Sequence, residues 1–286
     1  MIKILFFGSK GWIGEQFIHY LQKKEPDFII IETNVRADNE VLVNDIILAH
    51  SPTHIISFIG RTHGNGYNTI DYLEQEGKLV ENLRDNLYAP MVLAILCNKH
   101  NIHLTYLGTG CIFNNTSSDV MYNENNNPDF FGSSYSIVKG FTDRLMRINS
   151  TKLLNLRIRM PIVNYTHSRN FITKITSYDK ICSIPNSMTI LNDFFPIIAD
   201  MIKKETTGTF NITNPGVISH NEILELYKEL VDPSFQWNNF SIEEQNKVLL
   251  PKRSNNHLDT SKLTALYPNI PNIKDSIKNC LSNYCL

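Results

Sequence analysis

No apolar run in this 286-residue sequence reaches the roughly 20 residues that a membrane-spanning helix requires, and no basic segment followed by an apolar stretch opens it. Neither a spanning helix nor a secretory leader enters the reading, and the expected compartment is the cytoplasm. Charge of one sign is not in excess: 27 Lys and Arg stand against 28 Asp and Glu, a net charge of -1. Neither nucleic acid nor an anionic membrane is therefore an expected partner. Cysteine is sparse, with Cys97, Cys111, Cys182, Cys280 and Cys285 odd in number and without C-x-x-C or Cys/His spacing. That excludes a disulfide framework and a zinc site, and no metal is expected. Internal repeats and long linkers are also absent, so the chain is expected to pack as one unit.

What remains is ordinary globular composition, 42% hydrophobic and 19% charged, in a chain long enough for one large α/β core with a smaller lobe. The first fourteen residues organise it. An apolar run from Ile2 to Phe7 stops at Gly8 and gives way to Gly11 and Gly14. Such a run reads as a buried strand, a tight turn and the first turn of a helix. Gly8 permits the turn, Gly11 lets backbone N–H groups approach a pyrophosphate, and Gly14 brings the helix close to the strand. The helix N-terminus, with Lys10, Trp12 and Ile13 around it, favours phosphate charge, so a dinucleotide is the expected occupant. The competing reading is three glycines in a structural turn.

Trp12, Ile13, Phe17, Ile18 and Leu21 give the following helix one apolar face, and Phe28 to Ile31 forms a second strand. The residues after it decide between cofactors: an acidic side chain here holds a ribose 2′-hydroxyl, and an arginine suits a 2′-phosphate. Arg36, with Lys10, points to NADP(H), while Glu32 leaves NAD(H) open. A short helix is expected from Asn44 to His50 and a third strand from His54 to Gly60, with Gly60 against the cofactor. The loop from Arg61 to Tyr67 then lies at the strand's carboxyl end, where open α/β sheets bind ligands. A long helical region is expected from about Asp71 to Lys99, with Leu79, Leu83, Leu87, Met91, Leu93 and Leu96 mostly facing the core and Asn86 interrupting that side.

Strand His103 to Leu107 ends in Gly108-Thr109-Gly110-Cys111, which sets Thr109 and Cys111 at the ligand edge of the sheet. After an Asn/Asp/Ser-rich loop, Tyr135-Ser136-Ile137-Val138-Lys139 opens a helix, and positions four apart share one face. Tyr-x-x-x-Lys alone is also common as plain helix surface. Together with a strand-end hydroxyl and a dinucleotide turn, it points to carbonyl reduction: Tyr135 as the acid, Lys139 lowering its pKa and holding the nicotinamide ribose, Thr109 donating to the carbonyl oxygen. Strand Leu153 to Met160 leads to Pro161 and Ile162, expected beside the nicotinamide. Ser219 with Glu222 forms a capping box for the helix that follows strand Gly208 to Ile212, and Asp259 is expected to cap the next one.

The segments GWIG (11–14), GTGCIF (108–113), RIRMP (157–161), RNFITKI (169–175), IPNSMTIL (184–191), TNPGVISHNEIL (213–224) and RSNNHLD (253–259) span nearly the whole chain. With them the sequence resembles the extended short-chain dehydrogenase/reductases, and among these the bifunctional 3,5-epimerase/4-reductases that act on UDP-4-keto-6-deoxyglucose. The resemblance implies inversion at C3 and C5 before reduction, with Cys111 and Lys174 as the acid/base pair on opposite faces of the sugar. It places Arg253 and Asn256 against the nucleotide diphosphate; Thr62, Asn86, Asn170 and Asn186 are further expected substrate-side residues, Asn186 toward the uridine, and the plain role of Asn86 is bonding to neighbouring backbone. Residue types alone make Cys111 a small core residue and Lys174 a solvated helix position. The sequence departs from the family pattern at Ser57 to Gly60 and in the loop from Arg61 to Tyr72.

The expected architecture is therefore α/β: a Rossmann-type doubly wound parallel sheet with a smaller C-terminal substrate-binding lobe. Residues 1–160 form the NADP(H)-binding domain that carries the catalytic residues, and residues 161–286 mainly form the nucleotide-sugar lobe, with interleaving allowed. The expected substrate is UDP-4-keto-6-deoxy-D-glucose, reduced with NADPH, or with NADH, and supplied by a separate UDP-glucose 4,6-dehydratase; a homodimer is compatible. Two other readings stay open: a reductase for a sugar already inverted elsewhere, and a regulatory subunit that keeps the fold without turnover.

Overall fold

The computed structural model describes residues 2–114, 120–148 and 152–285. Residues 115–119, in the Asn/Asp/Ser-rich loop, lie outside the described residues. The chain divides into two compact units that interleave along the sequence: residues 1–109, 134–157 and 195–210 form the first, and residues 110–133, 158–194 and 211–286 the second.

The first unit is built on six strands: β1 (Ile2–Phe7), β2 (Phe28–Glu32), β3 (His54–Ser57), β4 (His103–Thr109), β5 (Leu153–Ile158) and β6 (Gly208–Asn211). Their order in the sheet is β6-β5-β4-β3-β1-β2, and β2, β1, β3 and β4 run parallel. The order reverses direction between β1 and β3, so the turn after β1 stands at the switch point where such sheets open a crevice. Parallel strands covered on both faces read as continuous apolar runs, and β1 does so because its two faces are both buried. Leu5 and Phe7 pack with Val43, Ile47, Leu93, Leu96 and Met146 of the helices on one side. On the other side Phe6 lies 5.2 Å from Phe58 and 6.5 Å from Phe17 between ring centroids, and Phe17 lies 5.4 Å from Phe195.

The helices of this unit follow their end signals. Helix α1 (Trp12–Lys24) carries Glu15 in its first turn and Lys23 and Lys24 in its last, matching the helix dipole. Helix α2 (Glu40–His50) begins earlier than its apolar spacing suggests, because the Asn39 side chain accepts from the Leu42 N–H at 3.1 Å and caps it there. Strand β3 stops at Ser57, three residues short of Gly60, and β5 stops at Ile158, because Met160 adopts φ +40° ahead of Pro161.

The long helical region expected from about Asp71 to Lys99 is found, with an interruption near its start: a 3-10 turn at Ile70–Glu74, then α-helix at Leu79–Leu83, a π-helical turn at Arg84–Tyr88 and helix α3 (Ala89–Lys99) without a gap. Gly77 at φ +76° makes the first break. Pro90 explains the π turn, since its missing N–H cannot bond the carbonyl of Asn86 four residues back. That carbonyl is taken instead by the Thr142 hydroxyl at 2.6 Å, from helix α4 (Ser134–Ile148). The expected inward side is corrected ahead of the π turn. Leu79 and Leu83 are exposed, and Asn82 and Asn86 face the interior.

At the amino ends of β3 and β4, His54 and His103 are buried with ring centroids 5.2 Å apart. Burial, followed by the His103 charge, pushes His54 down to about 4, against the opposing charge of Glu205; burial likewise lowers His103. Both rings are neutral in the folded protein at neutral pH.

The second unit has its own core, in which Ile162, Ile172, Met188, Ile190, Ile218, Leu224 and Ile277 are buried together. Pro161–Ile162 pairs in parallel with Thr189–Ile190. The helix His220–Leu230 carries the capping box expected of Ser219 and Glu222. Asp259 sits one position before the cap: Thr260 holds the cap without a side-chain bond, and Asp259 Oδ1 accepts from the Ser261 N–H at 2.8 Å.

The histidine pair sets an acid limit on stability. A ring whose folded pKa is about 4 against 6.5 unfolded takes up its proton on unfolding, so stability is complete above pH 6.5 and declines as the pH falls toward 4. The loss from His54 is on the order of 3 kcal/mol. Urea unfolding at pH 7 and pH 4.5 should show this decline, and a His54→Gln/His103→Gln variant should flatten it.

Candidate active site

The glycine turn is sterically fixed. Gly8 has φ +86°, and a Cβ there would lie 2.7 Å from the Phe58 carbonyl carbon. A Cβ on Gly14 would lie 2.2 Å from the Gly8 carbonyl oxygen, so neither position accepts a side chain without moving backbone. Gly11 closes the turn through its N–H to Gly8 O at 3.1 Å and is the N-cap of α1, which no side chain caps. Lys10 is exposed, and Trp12 and Ile13 are half-buried on the first turn. A bare helix N-terminus beside a cradle without Cβ atoms fits a dinucleotide pyrophosphate.

Past the end of β2, a cavity of about 780 Å³ is lined by Asn34, Val35, Arg36, Asp38, Asn39 and the start of α2. Arg36 is held at its edge by Asp38 and Asp85, each at 2.8 Å. Asp85 also accepts from Arg61 at 3.0 Å and from Arg84 at 2.9 Å. Three guanidinium groups thus stand around Asp38 and Asp85, with Glu40 also lining the cavity, and forked donors of this kind suit a phosphate monoester.

At the carboxyl end of β3, Gly60 is exposed and Asn86 is buried. The π turn points the Asn86 amide at the backbone of Arg61: Oδ1 accepts from its N–H and Nδ2 donates to its carbonyl, both at 2.9 Å. Asn86 Nδ2 also donates to Asn82 Oδ1 at 2.9 Å. Asn86 therefore fixes the loop that leads to Thr62, whose hydroxyl lies 3.5 Å from His63 Nδ1.

Thr109 ends β4 and is buried, as are Tyr135 and Lys139 one turn apart on α4. Lys139 is met by a residue the sequence reading missed. Its Nζ donates to the Tyr106 hydroxyl and stands 4.6 Å from that ring's centroid. Burial pushes the Lys139 ammonium down to about 8, against the charge of Asp143 a further turn along α4. Asp143 is itself held by Arg157, with Nε to Oδ1 at 2.9 Å and Nη2 to Oδ2 at 2.7 Å, both side chains buried. Burial raises Tyr106, so its phenol stays protonated. Tyr106 lies two residues before Gly108 on a strand whose residues are almost all buried, where a tyrosine gives no sequence sign of a polar role.

In the second unit Cys111 opens a turn that Asn256 clamps. Asn256 Nδ2 donates to Gly110 O at 2.9 Å and to Phe113 O at 3.0 Å, and the Ser254 hydroxyl donates to Phe113 O at 2.5 Å. Asn186 holds Asn256 in turn, accepting its N–H at 2.9 Å. Arg159, also missed from sequence, lies beside Cys111 and bonds its side chain. Lys174 is half-buried on a helix at Phe171–Thr176 that Asn170 caps. Burial, then the charges of Arg169 and Arg253, push Lys174 down to about 8. Asn170 is fully buried and donates to the carbonyls of Val163 and Tyr165 at 3.0 and 2.7 Å. Ile162 is fully buried and Pro161 half-buried. Among the described residues, no helix is long and apolar enough to cross a membrane, and no group of His, Cys, Asp and Glu is placed to hold a metal ion.

Residues 2–285 match the family model of the RmlD substrate binding domain. The sequence is 54% identical over 285 residues, 98% of each chain, to protein L780 of Acanthamoeba polyphaga mimivirus. The crystal structure of the L780 UDP-rhamnose synthase superposes with a TM-score of 0.95 over 99% of both chains. A bifunctional dTDP-4-dehydrorhamnose 3,5-epimerase/dTDP-4-dehydrorhamnose reductase of Arabidopsis thaliana is 39% identical over 279 residues, 96% of this chain and 90% of that one. A trifunctional UDP-glucose 4,6-dehydratase/UDP-4-keto-6-deoxy-D-glucose 3,5-epimerase/UDP-4-keto-L-rhamnose-reductase of the same plant is 38% identical, across 96% of this chain and 41% of that longer one. The chain thus belongs to the RmlD substrate-binding-domain family, within the extended short-chain dehydrogenase/reductases.

Proposed function

We propose that the protein is an NADPH-dependent 3,5-epimerase/4-reductase that converts UDP-4-keto-6-deoxy-D-glucose to UDP-L-rhamnose. The observation that carries the reading is the buried Lys139 one helical turn from Tyr135, with its ammonium held by Tyr106. The 54% identity to L780 across 98% of both chains supports the substrate. A ketosugar of this kind is the product of a 4,6-dehydration, so a separate dehydratase is the expected supplier.

Gly8, Gly11 and Gly14 with Trp12 and Ile13 would hold the pyrophosphate, Arg36 and Lys10 the 2′-phosphate, and Gly60, Pro161 and Ile162 the nicotinamide end. When bound, the reduced nicotinamide supplies the hydride for C4. Tyr135 donates the proton that the developing alkoxide needs, and Thr109 donates a hydrogen bond to the same oxygen. The Lys139 ammonium lowers the cost of the phenolate left on Tyr135. Before that step, Cys111 and Lys174 exchange the protons on C3 and C5, which the ketone at C4 acidifies. Arg169, Lys174 and Arg253 form a positive cluster suited to a diphosphate. Asn86, Asn170 and Asn186 act by fixing loops, since their amides are bonded within the protein. Asn256 belongs with them, since its Nδ2 is bonded to Gly110 O and Phe113 O, and Thr62 stays as a substrate-side residue.

We also propose a homodimer through helices α3 and α4, where Ile95, Phe141 and Ile148, with Tyr88 at the end of the preceding π turn, are exposed apolar side chains. Light scattering of the purified protein should give twice the mass of one chain, and a Phe141→Glu variant half of that.

Purified protein given UDP-4-keto-6-deoxyglucose and NADPH should yield UDP-rhamnose on chromatography; unchanged ketosugar with no NADPH consumed would support the regulatory reading instead. Cys111→Ser should stop deuterium uptake from solvent at C3 and C5. Full rhamnose formation by that variant would leave a reductase alone. Lys139→Met should slow reduction by roughly 10²- to 10⁴-fold. Both lysines must be charged and both sit at about 8, so kcat/KM should fall as the pH rises through 8.

A further inference from the structure

The helix at Phe171–Thr176 that carries Lys174 has six residues, too few to hold its own shape in water. Ile172 and Ile175 bury one side of it in the core of the second unit. Apolar contact is non-directional, so two isoleucines keep the helix on the core without defining its rotation closely. Hydrogen bonds are directional, and here they converge on a residue 114 positions beyond the helix cap. The Tyr284 hydroxyl accepts from Asn170 Nδ2 at 3.2 Å and bonds Thr173 Oγ1 at 3.1 Å. Asn170 caps the helix through the Ile172 N–H at 3.3 Å, and Thr173 Oγ1 accepts from the His167 N–H at 3.2 Å. One phenol thus joins the cap and the first turn, and Lys174 is the next residue in the chain.

Tyr284 is itself held from two sides. Its ring stands edge-on to Tyr227 of the helix His220–Leu230, with 6.1 Å between centroids and 80° between planes. The backbone around it runs beside residues 164–166: Asn164 Nδ2 donates to Asn283 O at 3.2 Å, the Cys285 N–H to Asn164 O at 2.8 Å, and the Thr166 N–H to Cys285 O at 3.0 Å. All of these contacts lie within the second unit. We propose that Tyr284 is a positioning residue for Lys174: by tying Asn170 and Thr173 to the segment from Asn283 to Cys285, its hydroxyl fixes the rotation of the helix and with it the place of the Lys174 ammonium.

The inference rests on the epimerase reading, in which Lys174 exchanges protons with the sugar, and deepens it by naming what sets the geometry of that exchange. A displacement of about 1 Å in a reacting group can cost roughly 10²-fold in rate. Reduction instead depends on Thr109, Tyr135 and Lys139, which belong to the first unit. Loss of the Tyr284 hydroxyl therefore separates the two halves of the reaction: proton exchange at C3 and C5 slows, and hydride transfer to an already inverted ketosugar does not.

Tyr284→Phe removes the hydroxyl and keeps the ring on Tyr227; Thr173→Val removes its partner, and Thr173→Ser keeps it. Without substrate, amide hydrogen exchange across Phe171–Thr176 should rise about ten-fold in Tyr284→Phe and Thr173→Val and stay at the parent rate in Thr173→Ser. With the ketosugar and NADPH, deuterium uptake at C3 and C5 should fall roughly 10- to 100-fold in the first two variants, while reduction of the already inverted ketosugar changes less than about two-fold. Equal loss of both activities marks a merely structural role and overturns the proposal, as does a folded Tyr284→Phe protein with the parent's amide exchange and deuterium uptake. If Tyr284→Phe does not fold, the Thr173 pair decides, and parent-level uptake in Thr173→Val overturns the proposal. A parent that takes up no deuterium, or a Lys174→Met variant that takes it up at the parent rate, removes the epimerisation role of Lys174 and the proposal with it. Failure in the Tyr284 and Thr173 variants alone leaves the epimerase reading standing.

Discussion

Taking the Lys139 ammonium out of water is the constraint around which the first unit is arranged. A buried primary amine loses its proton readily, and here burial, partly offset by the Asp143 charge, brings it to about 8. It stays charged near neutrality because the Tyr106 hydroxyl accepts from it, the Tyr106 ring faces it, and Asp143 lies one turn further along the helix. Asp143 is fixed in turn by Arg157, and Asn155 donates to the same carboxylate at 2.8 Å. The sheet and helix α4 thus share a chain of charges that begins at Arg157 in β5 and ends at Lys139. Breaking a buried pair of this kind typically costs about 3–5 kcal/mol, which ties the stability of the unit to the chemistry of its lysine.

Local signals made much of this legible in the sequence. The glycine turn, the capping box at Ser219 and the i, i+4 spacing of Tyr135 and Lys139 each depend on residues close together in the chain, and each is found as expected. In the stretch from Asp71 to Lys99 apolar spacing indicated the helix but not which side faces inward ahead of the π turn. Its leucines near residues 79 and 83 face outward, while two asparagines face in. Pro90 was the available sign, since a proline just inside a helix frees the carbonyl four residues earlier. Tyr106 and Arg159 gave no sign at all. Their partners are 33 and 48 residues away in sequence, and a polar group on a buried strand is distinguished only by what tertiary structure sets against it.

Positive charge is concentrated in the second unit in two places that do different things. Arg159 is a single buried cation, tied to carbonyls and turned toward one sulfur. Arg169, Lys174 and Arg253 are a cluster of like charges, and their mutual repulsion is part of what lowers Lys174. A proton donor works best when its pKa lies near the working pH, so a lysine at about 8 is a readier donor near neutral pH than one at its ordinary 10.5. The arginines that suit a diphosphate therefore also tune the acid.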